Sequence, residues 1–115
     1  MPLSWKNITQ PDELELISTQ SHKVPVVIFK HSTRCNISAV AKNRMDSNEA
    51  EKGEEYYYLD LLSYRDISAA IAERFKINHE SPQLLLIVDG ECVYEESHMG
   101  INFSELQEQI SLHKK

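Results

Sequence analysis

A cysteine and a hydroxyl residue three positions later lie in the stretch Phe29 to Ser38, between an apolar run and a helical pattern. The run Val24 to Phe29 predicts a strand, and Cys35 opens the helical pattern that follows. Unpaired backbone N–H groups and the positive end of the macrodipole gather at a helix N-terminus. Both favour a thiolate over a thiol, and the thiolate is the nucleophile. The chemistry indicated is therefore attack by the Cys35 sulfur.

The side chains around this cysteine favour the reactive interpretation. Arg34 and Lys30 supply positive charge, with His31 as a further contributor, and such polar neighbours are unlike a core. The competing interpretation is that Cys35 is a small buried hydrophobe at a helix start. Ser38 lies one turn along, where its hydroxyl or backbone N–H would donate to the thiolate. It fits an ordinary polar residue of a first helical turn equally well.

Two further positions are candidates for a role in the chemistry. Ser81-Pro82 precedes an apolar strand pattern, and spacing alone favours a plain strand opener over an uncommon cis peptide bond. Cys92 fits a strand residue without chemistry, since a resolving role would need its Cα within about 7 Å of that of Cys35. No metal-ligand spacing relates the histidines and cysteines, so we predict no metal site.

Composition limits the class of protein. The 115 residues predict a single domain, residues 1–115, and 41% hydrophobic with 26% charged residues is ordinary for a soluble chain. The net charge of −6 argues against a nucleic-acid partner. The apolar runs are too short to span a bilayer and the first residues lack a signal-peptide layout, so we expect no membrane partner and a cytoplasmic location. The two cysteines should be free thiols there.

Alternating strand and helix patterns predict an α/β fold with a central mixed sheet. The order β-α-β-α-β-α-β-β-α indicates parallel βαβ units, helices on both faces and a closing hairpin at Asp89-Gly90. The predicted strands are Trp5–Ile8, Val24–Phe29, Tyr56–Leu62, Gln83–Val88 and Cys92–Glu95. The predicted helices begin at a Thr9 cap, at Cys35, at a cap on Ser63 or Asp66, and after Gly100. Helical spacing also places Leu16 and Val40 on buried helix faces.

Together these features resemble the thioredoxin fold, with a four- to five-stranded sheet flanked by helices. Four features carry this resemblance: a strand, a cysteine at the start of the next helix, a later X–Pro that opens a strand, and a closing Asp-Gly hairpin. In that superfamily the X–Pro bond is cis and faces the reactive cysteine. The resemblance therefore implies a cis bond at Ser81-Pro82 and a substrate-aligning role for these two residues.

The stretch Ile28 to Ser38 closely resembles the signature of the YtxJ-like family, the monothiol bacilliredoxins of the bacillithiol system. Trp5, Tyr58-Leu59-Asp60 and Ser81-Pro82-Gln83 also fit that family, so the resemblance covers nearly the whole chain. Members often carry Thr-Cys-Pro-Ile-Ser, whereas this chain has Arg34 and Asn36 around the cysteine. The missing proline restores one backbone N–H beside the sulfur and leaves the nucleophile in place.

What the resemblance implies is an oxidoreductase that removes a low-molecular-weight thiol from S-thiolated client proteins. Cys35 would attack the mixed disulfide and hold the small thiol, with bacillithiol or another small thiol as co-substrate and no bound cofactor. Because Ser38 occupies the resolving position, no C-x-x-C disulfide can form and a monothiol route is favoured. The protein is expected to be a monomer or a weak dimer.

Two other functions compete with this one. The absent second active-site cysteine also fits a non-enzymatic thioredoxin-like binding or general stress module. Carriage of an iron–sulfur cluster by a glutaredoxin-like dimer, with Cys35 as ligand, is disfavoured because the Cys-Gly-Phe-Ser pattern of such carriers is absent.

Overall fold

Five strands and four α-helices follow the predicted order in the computed structural model, which describes residues 5–32, 36–46 and 53–113. The side chains of residues 37, 38 and 99 are not described. The strands are β1 (Trp5–Asn7), β2 (Val26–His31), β3 (Glu55–Asp60), β4 (Gln83–Val88) and β5 (Glu91–Ser97). The helices are α1 (Glu13–Gln20), α2 (Asn36–Asp46), α3 (Arg65–Phe75) and α4 (Phe103–His113), with a 3₁₀ turn at His98–Gly100.

The strands form one mixed sheet in the order β1-β3-β2-β4-β5. β3 runs parallel to both β1 and β2, while β4 is antiparallel to β2 and to β5. The mixed five-stranded sheet confirms the predicted architecture. Every residue of β2 and β4 is buried, as expected for strands in the middle of a sheet that is covered on both faces.

Helices cover both faces of the sheet and divide the core in two. α1 and α3 pack on one face and contribute Leu14, Ile17, Ile67, Ile71 and Phe75. α2 and α4 pack on the other face and contribute Ala41, Met45, Leu106 and Ile110. Each of the leucine, isoleucine, phenylalanine and methionine side chains gains about 1.5–3 kcal/mol from leaving water. No helix within the described ranges has the length and apolar character needed to cross a membrane.

The predicted helix caps are wrong at two places. Thr9 does not cap α1, because the backbone N–H groups of residues 13–15 bond the carbonyls of residues 10–12 in a tighter turn. α3 begins after Tyr64, since Ser63 instead bonds the Asp60 carboxylate at 3.1 Å. Two predicted buried side chains are also exposed, Leu16 at 52% and Val40 at 43%.

Strand boundaries shift by one to two residues from the prediction, and one shift concerns the site. β2 continues through Lys30 and His31, so the strand reaches further toward Cys35 than the apolar run indicated. The hairpin between β4 and β5 is confirmed at Asp89 and Gly90, whose φ angles of 53° and 78° give the left-handed turn that Asp-Gly favours.

Candidate functional site

The junction between β2 and α2 carries the predicted nucleophile. The structure describes the chain up to Ser32 and again from Asn36, so Arg34 and Cys35 lie outside the described residues. The side chain of Ser38 is not described either. α2 begins at Asn36, the residue after Cys35 in the sequence. The first turn of α2 holds no acidic side chain, so nothing there offsets the positive end of the macrodipole. The roles of Arg34, Cys35 and Ser38 stay predictions.

The second predicted segment, Ser81-Pro82, comes to the same end of the sheet as the end of β2. Lys30 pairs with Gln83 in the antiparallel ladder, which places Pro82 level with His31. On the other side, the His98 N–H donates to the Pro82 carbonyl at 3.0 Å. The Ser81-Pro82 peptide bond is cis, as the resemblance implied and as spacing alone did not.

Ser81 brings a buried polar atom to this end of the sheet. Its hydroxyl oxygen is inaccessible to solvent and no described residue hydrogen-bonds it. Buried polar atoms usually have a partner, so this hydroxyl is an exception among the described residues. A substrate-binding role for Ser81 and Pro82 stays a prediction.

His31 lies on the face of β2 that packs against α2 and α4. Its ring is stacked on that of Phe29, with ring centroids 5.9 Å apart, and lies 5.6 Å from the ring of Tyr58. The side chain is buried rather than solvated. It joins an aromatic group on the sheet that also includes Trp5.

Asp46 ties the last turn of α2 to this aromatic group. Its carboxylate accepts a hydrogen bond from Trp5 Nε1 at 2.6 Å and one from Lys42 Nζ at 2.7 Å. Burial raises the pKa of the Asp46 carboxyl, but the bonds from Lys42 and Trp5 and the charge of His31 outweigh it, and the pKa is lowered overall. The helix that begins after Cys35 is thus anchored at its far end to β1.

Lys30 projects to the opposite face of β2, where α1 and α3 pack. The side chain is fully buried, and its ammonium donates to the Ser68 carbonyl at 3.1 Å and lies 3.4 Å from His79 Nδ1. Burial lowers the pKa of Lys30 to about 8. The expectation that polar neighbours of Cys35 are unlike a core is wrong for this segment, because Lys30, His31 and Ser32 are all buried.

Ser68 and His79 are residues that sequence reasoning missed. The Ser68 hydroxyl lies 3.2 Å from His79 Nδ1, so both residues and the Lys30 ammonium form one polar cluster beneath α3. A signal was present, since a lysine in an apolar strand must find acceptors. The sequence does not show which elements supply them, because Ser68 is 38 residues away and His79 is 49.

Cys92 lies toward the other end of the sheet. It pairs with Ile87, which pairs with Val26, and Val26 is about 16 Å along β2 from His31. The half-buried thiol donates to the Tyr94 carbonyl at 3.3 Å, and burial raises the pKa of Cys92 to about 11. These features fit a strand residue with no chemistry and give no support to a resolving role.

The chain is similar both to a known sequence family and to proteins of known structure. The family model for monothiol bacilliredoxin BrxC matches residues 6–106. A solved thioredoxin-fold protein, proposed to be an oxidoreductase, is 33% identical, with a TM-score of 0.77 and coverage of 89% of each chain.

Thioredoxins from distant organisms have the same fold. The Malassezia sympodialis thioredoxin is 20% identical with a TM-score of 0.73, and the alignment covers 100% of this chain and 96% of that one. The Fasciola hepatica thioredoxin is 19% identical with a TM-score of 0.72, covering 95% of this chain and 99% of that one. The fold is therefore that of thioredoxin.

Proposed function

Since this chain belongs to the monothiol bacilliredoxin BrxC family, we propose that it removes a low-molecular-weight thiol from S-thiolated client proteins through Cys35. Bacillithiol is the small thiol that the family suggests, and the cytoplasm is the compartment. The observation that carries the proposal is the meeting of Pro82 with the end of β2, at the sheet end from which the chain runs on to Cys35. A client disulfide can be held there beside the nucleophile.

The reaction is a thiol–disulfide exchange without net oxidation. The Cys35 thiolate attacks the small-thiol sulfur of the mixed disulfide, a new sulfur–sulfur bond forms, and the client thiolate leaves. The client thiolate takes a proton from solvent. A second molecule of thiol then attacks the small-thiol sulfur of the adduct, the Cys35 thiolate leaves, and a small-thiol disulfide is released, so this second thiol is the reductant. The small thiol is thus a co-substrate, and no bound cofactor is needed.

Each predicted supporting residue has a part in this proposal. Arg34 and the N-terminus of α2 favour the Cys35 thiolate, and Ser38 donates a hydrogen bond to it. Lys30 and His31 add positive charge from within the sheet. Ser81 and Pro82 align the incoming disulfide. Because Ser38 replaces a second cysteine and Cys92 lies toward the other end of the sheet, the adduct must leave by attack from another molecule.

A stoichiometry experiment tests the monothiol route. A client peptide carrying one bacillithiol in mixed disulfide is mixed with the reduced protein, and released peptide thiol is measured together with intact protein mass. We expect one peptide thiol and one adduct per protein, with turnover only after a small thiol is added. Steady turnover without added thiol, or an oxidised protein lacking two protons, would contradict a monothiol route.

The second candidate is a non-enzymatic thioredoxin-like binding module, favoured by the single cysteine in the segment between β2 and α2. The rate of Cys35 alkylation against pH separates the two functions. The exchange function requires a Cys35 pKa below the ordinary value of about 8.5, whereas a value near 8.5 favours the binding module.

A further inference from the structure

A cleft of about 400 Å³ lies between the start of α3 and the segment before Pro82, and we name it the basic cleft. Its lining residues are Leu61, Leu62, Arg65, Ser68, Ala69 and His79. Apolar walls with a few polar groups at one side are typical of small-molecule sites, and the volume suits a ligand of a few hundred daltons.

The Lys30 ammonium lies behind the lining of the basic cleft. It contacts two of the lining residues, Ser68 and His79, and is itself fully buried. Within the described ranges no carboxylate pairs with it, and burial is the cause of its lowered pKa. A buried cation without a counter-charge is costly, and an anion bound nearby would offset that cost.

The charges around the basic cleft favour an anion. Arg65 adds a second cation at the first position of α3, and the N-cap residue Tyr64 makes no side-chain bond to that helix end. Three carboxylates lie nearby in sequence: Asp66 is exposed, Glu80 faces His98 at 3.4 Å, and Asp60 bonds Ser63. None of them contacts the Lys30 ammonium.

The residues that line the basic cleft lie toward the sheet end where exchange would occur. Lys30 pairs with Gln83, next to Pro82, and His79 precedes Ser81 by two residues. A small thiol whose sulfur is held beside Pro82 would therefore have the basic cleft close to its remaining atoms.

We propose that the basic cleft binds the carboxylate of an anionic low-molecular-weight thiol while its sulfur exchanges with Cys35. The proposal rests on the exchange function above and names its substrate class. Arg65 meets the carboxylate at the cleft surface, the Ser68 hydroxyl and His79 donate to it, and Lys30 supplies charge from below. Leu61 and Leu62 pack against the carbon skeleton.

The rate at which the small thiol is transferred to Cys35 tests the interaction between Arg65 and the carboxylate. Client peptides carrying glutathione, glutathione diethyl ester or bacillithiol are mixed with wild type, Arg65→Gln and Lys30→Met, and adduct formation on Cys35 is followed by intact mass. We expect Arg65→Gln to slow transfer of the carboxylate-bearing adducts about tenfold and to leave the diester rate unchanged, since one charge-assisted bond is lost. Equal slowing of all three adducts would overturn the proposal.

Two controls keep this outcome interpretable. Lys23→Gln removes the same charge at an exposed turn before β2 and should change no transfer rate. Arg65 is exposed, so Arg65→Gln is a mild change even if Lys30→Met perturbs folding.

A binding measurement separates this proposal from the exchange function. In the Cys35→Ser variant, S-methylglutathione and its dimethyl ester are titrated while the His79 ring is followed by NMR. A saturable shift with the acid, absent with the ester and lost in Arg65→Gln, supports the cleft even if no adduct is transferred. The proposed ligand site would be contradicted if neither probe shifts the His79 signals and transfer rates are the same with and without free carboxylates. The exchange function would be unaffected by that result.

Discussion

Two consecutive residues at the end of β2 project to opposite faces of the sheet, and both are buried. His31 stacks among aromatic rings on the α2 side, while Lys30 reaches Ser68 and His79 on the α3 side. Positive charge is thereby placed inside the protein at the end of the strand that leads to Cys35. Such charge is screened much less by salt than surface charge, and in the proposed function it favours the thiolate and anionic ligands alike.

Replacing Lys30 by Met should remove a pH dependence of stability. Burial lowers the pKa of Lys30 to about 8 from its ordinary 10.5, so the folded state releases this proton more readily than the unfolded state. The penalty that Lys30 places on the free energy of unfolding is then absent above about pH 10.5 and grows to about 3 kcal/mol as pH drops to 8. Urea denaturation from pH 7 to 11 should show that change as the difference between the wild-type and Lys30→Met curves.

Lys23→Met is the matched control, because Lys23 is exposed. Its stability curve should run parallel to that of wild type. A Lys30→Met curve that also runs parallel to wild type would show that Lys30 titrates normally in the folded protein.

Cys92→Ser should leave adduct transfer within about twofold of wild type. Burial raises the pKa of Cys92 to about 11, so at pH 7 only about one molecule in 10,000 carries a Cys92 thiolate. Serine also keeps the hydrogen bond to the Tyr94 carbonyl. Stopped-flow mixing with a thiolated peptide measures the transfer rate. A tenfold lower rate in Cys92→Ser would show that Cys92 takes part in the chemistry.

At the scale of elements, α2 is held at its last turn by the Trp5–Asp46 hydrogen bond. Trp5→Phe keeps the ring packing but removes the N–H donor, so we expect a loss of about 1 kcal/mol in the free energy of unfolding. The pKa of Asp46 is lowered in the fold, so this contribution is present at neutral pH and is lost as pH falls through that pKa.

A double-mutant cycle of Trp5→Phe with Asp46→Ala isolates this interaction. We expect a coupling energy of about 1 kcal/mol at pH 7 that decreases as the Asp46 carboxylate is protonated in acid. Strict additivity at pH 7 would mean that the contact does not stabilise the protein.

Gly90→Ala should destabilise the closing hairpin more than Gly53→Ala destabilises its loop. Both glycines have positive φ, 78° and 90°, so each alanine should cost about 1 kcal/mol in backbone strain. A Cβ on Gly90 would also lie 3.2 Å from Ser18 Oγ, whereas none of the described atoms lies within 4 Å at Gly53. Thermal unfolding of both variants measures the difference, and equal losses would rule out the contact.

The order of strands and helices could be predicted because the spacing of apolar residues differs between strands and helices and because turn residues mark their ends. The all-apolar segment Gln83–Val88 and the Asp89-Gly90 turn came out as predicted. The starts of α1 and α3 did not, because Thr9 and Asp66 match cap preferences while competing turns set the boundaries. The cluster around Lys30 was beyond prediction, since it joins residues that only the tertiary fold brings together.

At the scale of the whole molecule, one end of the sheet gathers the described residues that the proposed exchange reaction would use. Asp60, His31, Pro82 and His98 lie side by side across β3, β2, β4 and β5 at this end. The chain reaches Cys35 three residues after Ser32, the last described residue before the gap. The basic cleft lies on the α3 side of the same end. The rest of the fold holds these segments in register.

Peptide mapping of the adduct tests the central claim most directly. A client peptide bearing S-bacillithiol is mixed with wild type, Cys35→Ser and Cys92→Ser, quenched with acid, digested and analysed by mass spectrometry. We expect the bacillithiol adduct on the peptide that contains Cys35 in wild type and in Cys92→Ser, and no transfer to Cys35→Ser. Transfer that persists in Cys35→Ser, or an adduct found on Cys92, would contradict the assignment of Cys35 as the nucleophile.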